Sequence, residues 1–198
     1  MIALDVESSG TDWNTHSILS LGAIDVDDPT NQFYDECRVW DGAKVEPEAL
    51  AINGFTELEA KSSEKKSEAE LITAFVAWAT DKPQNRTFCA QNVSFDYEFV
   101  RYACKRAHIE FPFAKRTIDI HTLAWTHMRV RGIEPPLAKH HSALSSKEIL
   151  TYCGLQEEPQ PHNALTGALW HAEVLSRIAY NKKLLPDFEM YDIPWLTK

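Results

Sequence analysis

The sequence has 198 residues, 44% of them hydrophobic and 25% charged, an ordinary globular balance that excludes disordered and fibrous classes. Acids outnumber bases, 29 Asp and Glu against 20 Lys and Arg for a formal net charge of −9, which argues against a protein that coats long duplex DNA with its whole surface. No apolar run of about 18 residues occurs, so no membrane-spanning helix and no membrane partner are expected.

In chain order, Met1-Ile2-Ala3-Leu4-Asp5 meets an acid early and lacks a basic lead, so no secretory signal is read and a cytoplasmic location is expected. Residues 2–6 form a short apolar run, 17–26 alternate apolar and polar, and 32–40 form a third strand-like stretch. Turn chemistry at residues 10–15 and 27–31 predicts an antiparallel meander of these three strands. Residues 41–66 read as irregular, ending in a Lys/Ser/Glu-rich run. Helical spacing then appears at 71–80, ending before Pro83, and 87–90 read as a short buried strand.

Residues 94–108 predict a helix in which Phe95, Phe99, Tyr102 and Ala103 recur at helical spacing, with Ser94 as N-cap. A strand end at 116–120 leads into a helix reaching about residue 128, and 132–141, with Pro135-Pro136, read as a loop. A short helix over 145–153 is closed by Gly154. After the loop 157–161, His162 opens a final helix to about residue 182, followed by the apolar tail 184–198. Three strands followed by alternating elements, without a dividing linker, predict one domain, 1–198, of mixed α/β architecture. Cys37, Cys89, Cys104 and Cys153 lack metal-site or redox-motif spacing and are expected as reduced, packed thiols. Nothing in the sequence argues for a homodimer.

Charge is unevenly spread. Residues 101–141 carry eight Lys and Arg against Glu110, Asp119 and Glu134. Two readings stand open for this stretch, a solvated helix face with a loop or a patch that faces phosphates.

Chemistry concentrates in three places. Asp5 and Glu7, two apart at the end of the first strand, point to one face. Neighbouring carboxylates repel, and a divalent cation with a taste for hard oxygen, Mg2+ or Mn2+, is the usual compensation. Asp96 falls in the first turn of a helix, where an acid also suits the helix dipole. His162 stands at the start of the last helix.

Asp5-x-Glu7-Ser8-Ser9-Gly10, Asn92-x-x-Phe95-Asp96 and His162-Asn163-Ala164-Leu165, in that order over nearly the whole chain, resemble the DEDDh 3'-5' exonucleases. Lesser echoes are Ile52-Asn53-Gly54-Phe55 and the segments 117–124 and 172–174. The resemblance implies an RNase H-like fold: a central mixed five-stranded sheet, three antiparallel strands then two parallel, flanked by helices. It implies hydrolysis of single-stranded DNA or RNA from the 3' end to nucleoside monophosphates, with two ions, Mg2+ or Mn2+, stabilising the attacking and leaving oxygens. By resemblance Asp5 would bridge both ions, Glu7 would bind one, and Asp96 would hold the site directly or through water. His162 would be the general base, a role that suits an imidazole near its ordinary pKa. The turn Ser8-Ser9-Gly10 would approach the terminal nucleotide. Asn53, Gly54, Phe55, Asn92 and Phe95 would contact the last nucleotides, although the two Phe read equally well as core.

One position departs. Where the family carries a fourth acid, five residues after the histidine, this chain has Gly167. Three accounts follow: a ligand removed so that substrate is trapped, a neighbour such as Thr166, His171 or Glu173 completing the coordination, or binding of nucleic acid without cleavage. The retained Asp5, Glu7, Asp96 and His162 favour an enzyme weakened by the loss. The alternatives are a catalytically silent binding relative and an accessory subunit docked on a polymerase or nuclease.

Overall fold

The computed structural model describes residues 1–81 and 85–196; Pro83 and the last two residues of the tail lie outside them. Strand β1 (Ile2–Ser8) is central and has apolar residues on both faces because both are covered. Ile2, Leu4 and Val6 face a cluster built from the third and fourth helices, whereas Ala3, Asp5 and Glu7 alternate to the opposite face. Strand β2 (Ile18–Asp25) pairs antiparallel with β1, and β3 (Asp28–Glu36) pairs antiparallel with β2. The 27–31 segment is therefore not all turn: β3 already starts at Asp28, the reversal being tighter than its Asp/Pro/Asn composition suggests.

The stretch 41–66 is also not irregular throughout. Helix α1 (Pro47–Asn53) starts on a proline and ends at Gly54, whose φ of +74° is the left-handed cap that glycine tolerates. Helix α2 (Glu57–Ala60) is one turn held by a capping box between Thr56 and Glu59. Both are too short for a periodic signal. Helix α3 (Glu68–Asp81) buries Leu71, Ile72, Phe75 and Ala79. Phe75 meets Phe33, Trp78, Phe88 and Phe113 with ring centroids 5.3–6.3 Å apart.

Strand β4 (Phe88–Ala90) runs parallel to β1, and helix α4 (Ser94–Arg106) follows. Ser94 is the first residue of α4, not its cap. Asn92, at φ +54°, turns the chain one step earlier, and its carbonyl accepts the Phe95 N–H at 2.9 Å. Strand β5 (Ile118–Asp119) pairs parallel with β4, completing the order β3-β2-β1-β4-β5. Helix α5 (Ile120–Val130) is capped by Asp119. The proline loop contains a minimal hairpin, β6 (Leu137–Ala138) with β7 (His141–Ser142), and helix α6 (Ser146–Tyr152) carries a capping box from Ser145 to Glu148. This is the expected five-stranded sheet, three antiparallel strands followed by two that run parallel to β1.

Helix α7 (Ala164–Tyr180) lies across β1 and β2 on the Asp5 face. His162 stands two residues before it. Asn163 is the cap, accepting the N–H groups of Leu165 and Thr166 at 3.0 and 3.2 Å. Gly22, opposite Asp5 in the β1–β2 register, lets the helix come close, since a Cβ there would lie 2.2–2.3 Å from backbone atoms of Ala164 and Leu165. The tail folds back onto α6 and α7: Phe188 lies against Trp170 with centroids 4.5 Å apart, and Trp195 lies 5.2 Å from Tyr152. All four cysteines are free and buried, and burial pushes the thiols of Cys89, Cys104 and Cys153 up to about 12. No helix among the described residues is long and apolar enough to cross a membrane.

Candidate active site

The crevice follows from a short strand. β4 pairs with β1 only at Ile2 and Ala3 and ends at Ala90, so β1 continues without a parallel neighbour. The N–H of Val6 on that side is taken instead by Asp96 Oδ1 at 3.0 Å, across 90 residues of sequence. Asp119 steadies the approach: its Oδ2 accepts the Val93 N–H at 3.0 Å at the entry to α4, while its Oδ1 accepts the Thr122 N–H at 2.8 Å. Asp5, Glu7 and Asp96 thus meet at the carboxyl end of parallel strands, where ligands of open α/β sheets bind.

Their electrostatics match that crowding. Burial, then the charges of Asp96, Glu7 and Glu158, hold the Asp5 carboxyl well above the usual carboxylate range. Burial and the Glu158 charge raise Glu7 to about 7, opposed by a hydrogen bond from Asn53. Burial raises Asp96 too, against the hydrogen bond from Val6. Among the described residues no three His, Cys, Asp or Glu side chains are closed on one point as a finished ligand set. The carboxylates of Asp5, Glu7 and Asp96 are nevertheless near enough for the charges of Asp96 and Glu7 to act on Asp5 and that of Glu7 on Asp96.

His162 is carried on a loop clamped to α1. Its backbone N–H bonds the Ile52 carbonyl at 3.0 Å, and Pro161 packs where a Cβ on Gly54 would stand 2.7 Å away. Its Nδ1 lies 4.0 Å from Glu7 Oε1, with a third of the side chain open to solvent. The segment 52–55 thereby supports the loop that bears the histidine.

Several residues expected to contact nucleotide also make internal hydrogen bonds or contacts. Ser8 Oγ bonds the Gly10 carbonyl at 2.6 Å. Ser9 Oγ bonds the Lys44 carbonyl at 2.7 Å and accepts the Ser17 N–H at 2.9 Å. Gly10 makes room for His16, whose ring atoms would lie 2.3–2.7 Å from a Cβ. Asn53 is buried, and its amide donates to the Ser8 carbonyl at 3.0 Å, bracing the strand end beside Glu7. Phe55, half-buried, packs on the Leu19 and Leu50 cluster under Lys65. Phe95 is half-buried against Phe99, centroids 4.8 Å apart, and Asn92 is exposed beside it. In the basic segment, Arg106 binds buried Glu68 at 2.7 Å, Arg101 binds Glu98 at 2.5 Å and Arg129 pairs with Glu134. Three of the eight cations of that segment are thus paired with carboxylates of their own fold, and both readings of the segment stay open.

Around Gly167 the suggested substitutes differ. Glu173 is fully buried, paired with Arg177 at 2.7 Å and accepting the N–H groups of Leu184 and Leu185, so its carboxylate anchors the tail. His171 Nδ1 faces the Leu4 carbonyl at 2.8 Å, and burial lowers its pKa to about 4. Glu158, in the loop before His162, was not singled out by sequence reasoning. Its Oε1 is buried without a hydrogen-bond partner, and it lines a cavity of about 30 Å³ together with Gly167 and His171. An acid four residues before the histidine, in a chain short of one acid, was the available signal.

A family model described as Exonuclease, of the RNase T type, matches residues 2–175. Ribonuclease T of Shewanella baltica is 32% identical over 146 residues, covering 62% of this chain and 61% of that protein. Ribonuclease T of Shewanella denitrificans is 30% identical over 173 residues, covering 74% and 75%. The chain thus spans about three fifths of the length of the first of these relatives, 61%. Among solved structures, the nuclease domain of 3'hExo, a DEDDh member bound to rAMP, superposes with a TM-score of 0.68 at 14% identity, covering 93% of each chain. Escherichia coli Exonuclease I in complex with a 5cy-dT13 oligonucleotide superposes with a TM-score of 0.70 at 18% identity, covering 91% of this chain and 40% of that one. At these identities the likeness speaks to the fold.

Proposed function

The chain belongs to the exonuclease family whose pattern runs over residues 2–175, and on that premise we propose that it is a metal-dependent nuclease removing nucleotides from the 3' end of single-stranded DNA or RNA. The observation that carries this reading is the convergence of Asp5, Glu7 and Asp96 from two distant segments, with His162 Nδ1 4.0 Å from Glu7. Three carboxylates whose pKa values are raised first by burial and then by neighbouring acids, beside a fourth with an unpartnered oxygen, suit hard divalent cations. Asp5, Glu7 and Asp96 would hold Mg2+ or Mn2+, two ions by family precedent. When bound, these ions neutralise charge on the phosphodiester and its leaving oxygen.

The chain's own groups supply the rest. Asn53 donates to the Ser8 carbonyl and to Glu7, holding that carboxylate toward the crevice. The Val6 N–H keeps Asp96 oriented. With Nδ1 turned to Glu7, His162 accepts the proton of the attacking water on Nε2. Phe95, half-buried, and Asn92, exposed at the mouth of α4, are the surfaces for the last base. Relatives solved with an oligonucleotide and with rAMP support a single-stranded or nucleotide ligand.

A 5'-labelled oligonucleotide of DNA or RNA, incubated with Mg2+ or Mn2+, is expected to shorten into a ladder from its 3' end. No shortening with either metal at high protein concentration defeats the proposal. Gly167 favours a second reading, a binder that does not cut, which predicts retention of the labelled strand without product.

A further inference from the structure

We propose that Glu158 supplies the fourth acidic ligand of the site, in place of the side chain that Gly167 lacks. The inference rests on the nuclease reading above and names a residue that the family pattern does not contain.

Gly167 is not a vacant position awaiting an acid. A Cβ there would lie 2.4 Å from Asp5 Oδ2 and 2.6 Å from its Cγ, so the Asp5 carboxylate already fills the space into which a side chain at 167 would project. An acid at 167 and Asp5 in this position exclude one another. The fourth carboxylate must therefore enter from elsewhere.

Glu158 lines a cavity of about 30 Å³ with Gly167 and His171, walled otherwise largely by apolar side chains such as Ile120, Leu150 and Trp170, and Gly167 in turn abuts the Asp5 carboxylate. Glu158 Oε1 is buried and finds no hydrogen-bond partner. A buried carboxyl oxygen left unmatched costs roughly 1–3 kcal/mol; burial raises the Glu158 carboxyl against the pull of His162 and the Asn163 N–H, and a cation beside Oε1 would match it. The Glu158 charge is felt by both Asp5 and Glu7, so the three carboxylates share one neighbourhood. The loop is also held: the His162 N–H is tied to the Ile52 carbonyl at 3.0 Å. The other acid near Gly167 in sequence, Glu173, is consumed by Arg177 and the tail. One loop thus delivers a carboxylate and, four residues later, the histidine.

The test is a titration of the whole chain with Mn2+ alone, read by electron paramagnetic resonance of free Mn2+ and by calorimetry, on the wild type and on Glu158→Gln, Glu158→Asp, Glu157→Gln and Asp5→Asn. Glu158→Gln should lose one of the bound ions or weaken Mn2+ affinity by about tenfold or more, with cleavage falling in step. Glu158→Asp should recover part of the binding, and Glu157→Gln should match the wild type. Unchanged stoichiometry and affinity in Glu158→Gln, while Asp5→Asn loses Mn2+, overturns the role of Glu158 and leaves the nuclease reading intact. A wild type that binds no Mn2+ overturns both.

Discussion

Replacing Arg177 by methionine removes a cation from a setting where water cannot stand in for it, since both Arg177 and Glu173 are 0% exposed. Nε donates to Glu173 Oε1 at 2.7 Å, Nη1 to the carbonyls of Cys153 and Asp192 at 2.9 and 3.1 Å, and Nη2 to those of Phe188 and Tyr191 at 3.1 and 3.0 Å. Glu173 Oε2 in turn accepts the N–H groups of Leu184 and Leu185 at 2.8 and 3.0 Å. Methionine keeps the volume but leaves a buried carboxylate without its counter-charge and several carbonyls without donors. Breaking a buried pair from one side costs about 3–5 kcal/mol. At roughly 2–4 °C per kcal/mol for a chain of this size, the unfolding temperature should fall by about 6–20 °C. Circular dichroism melts of Arg177→Met and of Glu173→Gln/Arg177→Met provide the assay. The double variant should recover a large part of the loss, because no charge is then stranded. A loss under about 1 kcal/mol in Arg177→Met, or a double variant no more stable than the single, would refute the reasoning. Mn2+ affinity of Arg177→Met, measured below its melting range, should equal that of the parent, because this pair holds the tail and not the site.

Asp5→Ala should reduce cleavage by about 10²-fold or more, measured as the initial rate of oligonucleotide shortening. His162→Ala should lower kcat by roughly 10²–10⁴-fold while Mn2+ affinity changes little, which separates a proton acceptor from a ligand. Glu7, raised from 4.5 to about 7, contributes stability that is full below about pH 4.5 and lost as pH rises through 7. His171 acts oppositely, its lowered pKa costing stability as pH falls from about 6.5 toward 4. Comparing melts in EDTA with melts in saturating Mn2+ cancels the histidine, and the gain from Mn2+ should grow from pH 5 to pH 7.5. A gain independent of pH would mean that the carboxylates are not the ligands. Gly22→Val should destabilise by about 3 kcal/mol or more, read from urea unfolding, because its Cβ would meet helix backbone at 2.2 Å.

Periodicity alone was enough to put Asp5 and Glu7 on one face of β1, because alternation along a strand is a local property and Ile2, Leu4 and Val6 mark the other face. The three-strand meander and the glycine closing 145–153 were legible from local turn and cap chemistry, whereas the two parallel strands came from the family resemblance. Helices α1 and α2 were not, since seven and four residues are too few for a repeat to register. Ser8, Ser9 and Asn53 carry side chains that could serve a ligand or the backbone with equal ease, and only the folded turn commits them inward. The same holds for Glu173, whose neighbour four residues on, Arg177, is an ordinary helix pair until the tail closes over it. Asp96 reaches Val6 across 90 positions because β4 stops short, and the Asp5 carboxylate fills the space over Gly167 because Gly22 admits α7 so close. Local dihedral preference and hydrophobic alternation are written along the chain, but which carboxylates share a crevice depends on how far each strand runs and how near a helix can pack.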